Sequence, residues 1–435
     1  MHFDRTMREH AHALVDRLFD HVENIESRPV VDWKSAPELR DLIRDTSDPV
    51  KALLDHSIQL HHPSYMGHQV CPPFPSAILG DLIISTLNQS TAVWEMSPVG
   101  TVIEQEMVRW LATLAGYPAE SLGTAVSGGS AANLTGLLAA RARWRARGGD
   151  GGAVILASAD THYSVARAAS IMGVEHVVKI ETDHRHQMNL EALERALRDH
   201  GASVLAVVAT SGSTATGAFD DLLRARELAK DTWLHVDAAH GASVLLSERL
   251  KHLVRGLDQA DSFSWDPHKM LWMPLSLGAI LVRDGQWLRR AFEADAPYLF
   301  HAEREPDNIG AVTIQCSKRA DAIKLWLTLK LFGTEPFRDA LEKVSDITRY
   351  LHDRVVESSD FEAMHEPQFN IYCFRYRGSD DENLALREKL IRSGDAWITS
   401  TVLKGRRVLR VTMINPRTEK RHVDEMLASL RRLAR

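Results

Sequence analysis

The segment Ser264-Trp265-Asp266-Pro267-His268-Lys269 sets a lysine just beyond a short apolar run. A lysine at a strand end can sit in a cleft, where a desolvated amine has a depressed pKa and forms an imine with an aldehyde. A lone lysine at such a place is more often structural, so its companions decide. His235-Val236-Asp237-Ala238-Ala239-His240 closes another apolar run, and the small residues after Asp237 let its carboxylate reach into a cleft. Against a pyridine ring, Asp237 would pair with the ring nitrogen and keep it protonated, which makes the ring an electron sink. An aspartate there can equally cap a helix. His235, Asp237 and His240 can also be drawn as a metal site, but no further ligand is evident and no metal is expected.

Two glycine turns and a histidine complete the set. Ser127-Gly128-Gly129-Ser130-Ala131-Ala132-Asn133 runs into the helix-forming stretch LTGLLAARARW. Glycines let backbone approach an anion, and a helix N-terminus adds free N–H groups and a positive dipole end. The plain alternative is a glycine turn with Ser130 as its cap. Ser211-Gly212-Ser213-Thr214 offers hydroxyls to the same phosphate. Thr161-His162-Tyr163-Ser164 follows a strand and can lay an imidazole over an aromatic ring. The chain has 21 histidines, so position alone singles out His162.

These residues need strands whose carboxyl ends meet. Between about residues 100 and 285 the runs Ala153–Ala159, Val177–Ile180, Val204–Ala209, Trp233–Ala238, Ser262–Trp265 and Leu277–Val282 are short and apolar with little alternation. That pattern predicts strands buried on both faces, separated by helices: an α/β fold with a mainly parallel central sheet and helices on both faces. Ligands bind such sheets at the strands' carboxyl ends. After about residue 335, strands at Phe369–Tyr376, Trp397–Leu403 and Val408–Ile414 predict a small α+β domain. A last helix from about Thr418 buries Val423, Met426, Leu427, Leu430 and Leu433. An amphipathic N-terminal helix presents Met7, Ala11, Leu14, Val15, Leu18 and Val22 on one face, to be covered by a partner subunit or by its own chain. The division expected is a helical segment at 1–60, a large domain at 61–335 and a small one at 336–435.

Composition narrows the class. The chain has 435 residues, a net charge of −6 and three cysteines, Cys71, Cys316 and Cys373. The charge gives no reason to expect nucleic acid. The odd, scattered cysteines form no disulfide framework, and a reducing cytoplasm fits them. No signal peptide or stretch of roughly 20 apolar residues is present, so a protein off the membrane is expected.

Lys269, Asp237, His162 and the Ser-Gly-Gly-Ser turn, in this order and spacing, resemble the fold-type I pyridoxal-phosphate enzymes. More narrowly they resemble the group II amino acid decarboxylases, which act on aromatic amino acids, glutamate, cysteine sulfinate or 2,4-diaminobutyrate. His62-Pro63-Ser64-Tyr65, the stretch from Leu87 to Pro98, Thr313 to Arg319, Leu409-Arg410-Val411-Thr412 and Asn415-Pro416-Arg417 are similar to that family too. The resemblance spans roughly residues 55 to 430.

The resemblance implies roles. Lys269 would carry pyridoxal 5′-phosphate as an imine, Asp237 would pair with the pyridine nitrogen, and His162 would stack on the ring. Gly129, Ser130, Ser213 and His268 would bind or border the phosphate. Tyr298, 29 residues past the lysine, would protonate the carbon that loses carbon dioxide. A homodimer is implied, with the partner completing the site. His68, Gln69 and Trp94, with Cys71 nearby, are candidates for the substrate pocket, and Arg410 is a candidate for a substrate carboxylate. Three positions depart from the family: Ala131 where glutamate is common, His240 where an aromatic is common, and Asp266 where asparagine is common. The expected reaction is decarboxylation of an L-amino acid to an amine. The rivals are another pyridoxal reaction on this fold (oxidative deamination to an aldehyde, transamination or a lyase reaction) and a non-catalytic relative. Intact Lys269, Asp237 and His162 speak against the last.

Overall fold

The computed structural model describes residues 4–293 and 308–435, so Tyr298 lies outside the described residues. The chain forms two compact units.

The larger unit comprises Pro73–Lys343 and Glu366–Phe369. Its strands are β1 (Leu122–Val126), β2 (Val154–Ser158), β3 (His176–Ile180), β4 (Val204–Thr210), β5 (Trp233–Asp237), β6 (Ser262–Trp265) and β7 (Gly278–Val282). They form one seven-stranded sheet in the order β1-β7-β6-β5-β4-β2-β3. The β3-β2-β4-β5-β6 pairings are parallel. β2, β4 and β5 are buried along their whole length, as apolar runs covered on both faces should be.

β7 runs antiparallel to both β6 and β1. The link from β6 to β7 carries only the one-turn helix Pro267–Met270, too little for a crossover to a parallel neighbour. β1 escapes the sequence pattern because Leu122-Gly123-Thr124 is not an apolar run and the strand starts half-buried.

The smaller unit comprises Met1–Pro72, Val344–His365 and Asn370–Arg435. β8 (Phe361–Ala363), β9 (Ile371–Tyr376), β10 (Thr399–Leu403) and β11 (Arg406–Thr412) form an antiparallel sheet in the order β10-β11-β9-β8. Residues 64–66 join it: Met66 N–H donates to the Trp397 carbonyl at 2.9 Å, and Thr412 N–H to the Met66 carbonyl at 3.0 Å. Asn415 Nδ2 donates to the carbonyls of Leu60 and His62, which ties the His62-Pro63-Ser64-Tyr65 motif to Asn415-Pro416-Arg417.

The last helix, Lys420–Ala434, buries Val423, Met426, Leu427 and Leu430 as its spacing predicts, while Leu433 is half-buried. The first helix, Arg5–Glu23, is capped by the Asp4 side chain accepting from Met7 N–H. Its own chain leaves Met7, Leu14 and Leu18 exposed. No helix among the described residues is long and apolar enough to cross a membrane.

Candidate active site

Four segments follow the carboxyl ends of parallel strands: 159–164 after β2, 211–216 after β4, 238–241 after β5 and 266–269 after β6. Backbone hydrogen bonds stitch three of them together. Ser211 N–H donates to the Asp237 carbonyl (2.9 Å), Gly241 N–H to the Ser211 carbonyl (3.1 Å) and Asp266 N–H to the Ala239 carbonyl (3.0 Å).

The glycine turn packs onto the same place. Gly129 opens the helix Gly129–Ala146, with Gly128 in the cap position rather than Ser130. A side-chain carbon added at Gly129 would lie 2.9 Å from Ala239 Cβ and 3.0 Å from Asp266 Oδ2. One added at Gly128 would lie 2.9 Å from His268 Cε1. Both glycines are needed because backbone here lies against two neighbouring loops.

Lys269 Nζ stands 3.1 Å from Asp266 Oδ2, and Asp266 is almost wholly buried. Asp266 Oδ1 has no hydrogen-bond partner among the described residues. His268 Nδ1 accepts from Leu277 N–H at 3.1 Å, and its Nε2 lies 3.4 Å from Asp266 Oδ2. Burial holds the His268 imidazole below its usual pKa.

Asp237 does not cap a helix. Its Oδ2 accepts from Asn133 Nδ2 (2.8 Å) and its Oδ1 from Ser264 Oγ (3.1 Å). The metal alternative fails at His235, whose nitrogens meet Ser262 Oγ (2.8 Å) and Asn133 Oδ1 (3.0 Å). His162 Nδ1 meets Ser164 Oγ at 2.8 Å. Burial lowers the His162 pKa, and the nearby Asp237 carboxylate opposes that.

The remaining candidates are spread more widely. Ser130 is exposed beside the turn. Ser213 Oγ is turned into its own loop, meeting Thr216 Oγ1 at 2.9 Å and accepting from Ala218 N–H, while Ser211 Oγ is buried without a partner among the described residues. Trp94 is anchored by its backbone N–H to Asn308 Oδ1 at 2.8 Å. His68, Gln69 and Arg410 belong to the smaller unit. There Arg410 is buried, with Nη1 on Thr399 Oγ1 at 3.2 Å and no partner for Nε or Nη2 among the described residues. His68 is close enough for the Arg410 charge to add to the lowering of its pKa by burial.

Sequence reasoning missed Asn133, Ser164, Ser262 and Ser264, and it noted Asp266 only as a departure. One signal was available: Ser262 and Ser264 alternate with Phe263 and Trp265 in a strand buried throughout. A buried hydroxyl must find a partner.

An amine, a carboxylate, an imidazole and a helix N-terminus behind a glycine turn fit an aldehyde-bearing pyridine phosphate. The donor set and the close-packed glycine cradle both match such a group.

Comparison with known proteins agrees. The family model described as pyridoxal-dependent decarboxylase conserved domain matches residues 26–377. An aromatic-L-amino-acid decarboxylase of Bacillus atrophaeus is 30% identical over 98% of this chain and 95% of its own length. An L-2,4-diaminobutyrate decarboxylase of Rhizobium meliloti (strain 1021) is 33% identical over 88% of this chain and 80% of its own. The crystal structure of Oryza sativa TDC with PLP and tryptamine superposes with a TM-score of 0.91 at 25% identity, covering 100% of this chain and 99% of that one.

Proposed function

The chain belongs to the pyridoxal-dependent decarboxylases, as an amino acid decarboxylase that uses pyridoxal 5′-phosphate, and on that premise we propose that Lys269, Asp237 and His162 hold and operate the cofactor. The observation that carries this reading is the convergence of the glycine turn, the Asp237 loop and the Lys269 loop, with Gly129 packed against both Ala239 and Asp266. When bound, pyridoxal 5′-phosphate supplies an aldehyde for the substrate amine and a ring that takes up the electron pair left by departing carbon dioxide.

The chain's own residues do the rest. Lys269 presents its amine, and the Asp266 carboxylate, 3.1 Å away, orients it. The Asp237 carboxylate would accept from the protonated ring nitrogen. His162, whose pKa burial lowers, would pack on the ring face. Backbone N–H groups at Gly129 and Ser130, at the start of an 18-residue helix, would hold the phosphate, with His268 and Ser213 at its border. Tyr298 delivers the proton to the substrate carbon.

Arg410 binds a carboxylate of the substrate. A buried guanidinium with two nitrogens left without a partner among the described residues is costly unless an anion meets it. His68, Gln69 and Trp94 are our candidates for recognising the substrate side chain. The working unit is a homodimer: Ile78, Leu79, Leu82, Ile83 and Leu87 are exposed on the helix Pro75–Leu87, as is the apolar stripe of the first helix. Three cysteines without a disulfide suit the cytoplasm.

The relatives differ in the amino acid they act on, so the test is a screen. Carbon dioxide release is measured over the common amino acids plus 2,4-diaminobutyrate and cysteine sulfinate, for wild type and Arg410→Gln. One amino acid should stand out, with its KM raised in the variant. Equal KM values for both proteins would remove Arg410 from the pocket.

A further inference from the structure

A line of buried side chains runs behind Asp237 and has no task in the reaction described above. Trp233 Nε1–H donates to Ser262 Oγ at 2.9 Å. Ser262 Oγ meets His235 Nδ1 at 2.8 Å, and His235 Nε2 meets Asn133 Oδ1 at 3.0 Å. Asn133 Nδ2 reaches both Asp237 Oδ2 at 2.8 Å and Ser164 Oγ at 3.0 Å. Ser164 Oγ meets His162 Nδ1 at 2.8 Å. From Trp233 to Ser164 every member is buried.

The two ends set the direction of these bonds. An indole N–H can only donate, and a carboxylate can only accept. His235 is neutral, since burial pushes its pKa down to about 4, so it has one donor and one acceptor nitrogen. One arrangement then puts a single hydrogen in every contact. Ser262 gives its proton to Nδ1, and Nε2–H goes to Asn133 Oδ1. The Asn133 amide donates to Asp237 and Ser164, and Ser164 donates to His162 Nδ1. The flipped amide would set Asn133 Oδ1 against Asp237 Oδ2, two acceptors with no proton between them. Ser164 N–H, 3.3 Å from His162 Nδ1, independently requires that nitrogen to accept.

The fold makes room for this line. Gly136 lies inside the helix Gly129–Ala146, where glycine is costly. A side-chain carbon there would lie 2.7 Å from His235 Cε1.

We infer that His235 and Asn133 are positioning residues that act through Asp237, committing its oxygens to accept and aiming the carboxylate at the ring nitrogen of the cofactor. The inference rests on the reading that Asp237 meets that nitrogen. Asn133 and Ser264 hold the two oxygens from different sides, so the carboxylate cannot rotate without losing a charge-assisted hydrogen bond. Losing one such bond should cost about tenfold or more in kcat with little change in KM.

The test is the NMR resonance of the ring nitrogen in holoenzyme reconstituted with 15N-labelled pyridoxal phosphate. Wild type should show a pyridinium signal and Asp237→Ala a neutral pyridine signal. Asn133→Leu and His235→Leu should move toward neutral pyridine and lose kcat. His235→Gln keeps an N–H donor for Asn133 and should stay close to wild type. Pyridinium signals with wild-type kcat in Asn133→Leu and His235→Leu would overturn the inference while leaving the role of Asp237 standing. A pyridinium signal in Asp237→Ala would overturn both. Should Asn133→Leu not fold, the His235 pair decides: equal signals for Leu and Gln refute the positioning role.

Discussion

Gly136→Ala separates the cost of a helical glycine from the space that His235 demands. In an ordinary helix interior the change stabilises by about 1 kcal/mol. Here the new carbon would lie 2.7 Å from His235 Cε1, 2.8 Å from its Nδ1 and 3.1 Å from Ile280 Cδ1. The imidazole is fully buried and held at both nitrogens, so it cannot retreat without stretching a bond to Ser262 or Asn133. Overpacking of this kind costs roughly 1–3 kcal/mol, and a weakened buried hydrogen bond about 1 kcal/mol more. The net effect is a destabilisation of roughly 1–3 kcal/mol. Calorimetric unfolding should therefore show a lower midpoint for Gly136→Ala than for wild type. In a His235→Ala background the main obstacle is gone and Ile280 Cδ1 can give into the space left, so the same change should raise the midpoint. An identical shift in both backgrounds would show that His235 is not what keeps position 136 a glycine.

Other expectations follow from the same structure. Asp237→Ala should bind the cofactor weakly and lose orders of magnitude in kcat, measured by cofactor titration and carbon dioxide release; a nearly active variant would reduce Asp237 to a structural residue at the end of β5. Sedimentation should find a homodimer, and an active monomer would contradict the reading of the exposed helix Pro75–Leu87. Tyr298→Phe should keep the cofactor spectrum but lose amine formation, with some diversion to aldehyde under air, and an unchanged product ratio would pass its role to another acid. Acid should destabilise the fold. Burial pushes His61, His62 and His235 down to about 4, below their unfolded value, so from pH about 6.5 down to 4 the unfolded chain binds more protons and stability falls with pH. Asp220, pushed up to about 6 by burial, works the other way between about 4 and 6. Three groups against one predict a lower thermal midpoint at pH 5 than at pH 7, and a higher one would reverse this balance.

The inner strands of the sheet were legible because they are buried on both faces, whereas the edge strand β3, read as equally buried, buries only Ile180. Ala153–Ala159 and Val204–Ala209 read as apolar runs and match β2 and β4 to within a residue at either end. β1 and β8 were not legible, since Leu122-Gly123-Thr124 and Phe361-Glu362-Ala363 carry too little apolar pattern. The motifs announced Asp237 and Lys269 because each sits where a strand stops. Their supports did not show. Asn133 and Ser164 lie on helices, and nothing in their local pattern indicates that their side chains meet each other, with Asn133 reaching Asp237 and Ser164 reaching His162. Asp266 read as a substitution in a motif; only the 3.1 Å approach to Lys269 shows it as that amine's partner.

The central claim is that Lys269 carries the cofactor. Holoenzyme is reduced with borohydride, digested, and the peptides are mapped by mass spectrometry. The account predicts a pyridoxyl group on Lys269, and none in Lys269→Ala prepared in the same way. A pyridoxyl group on any other lysine of the wild-type protein would contradict it.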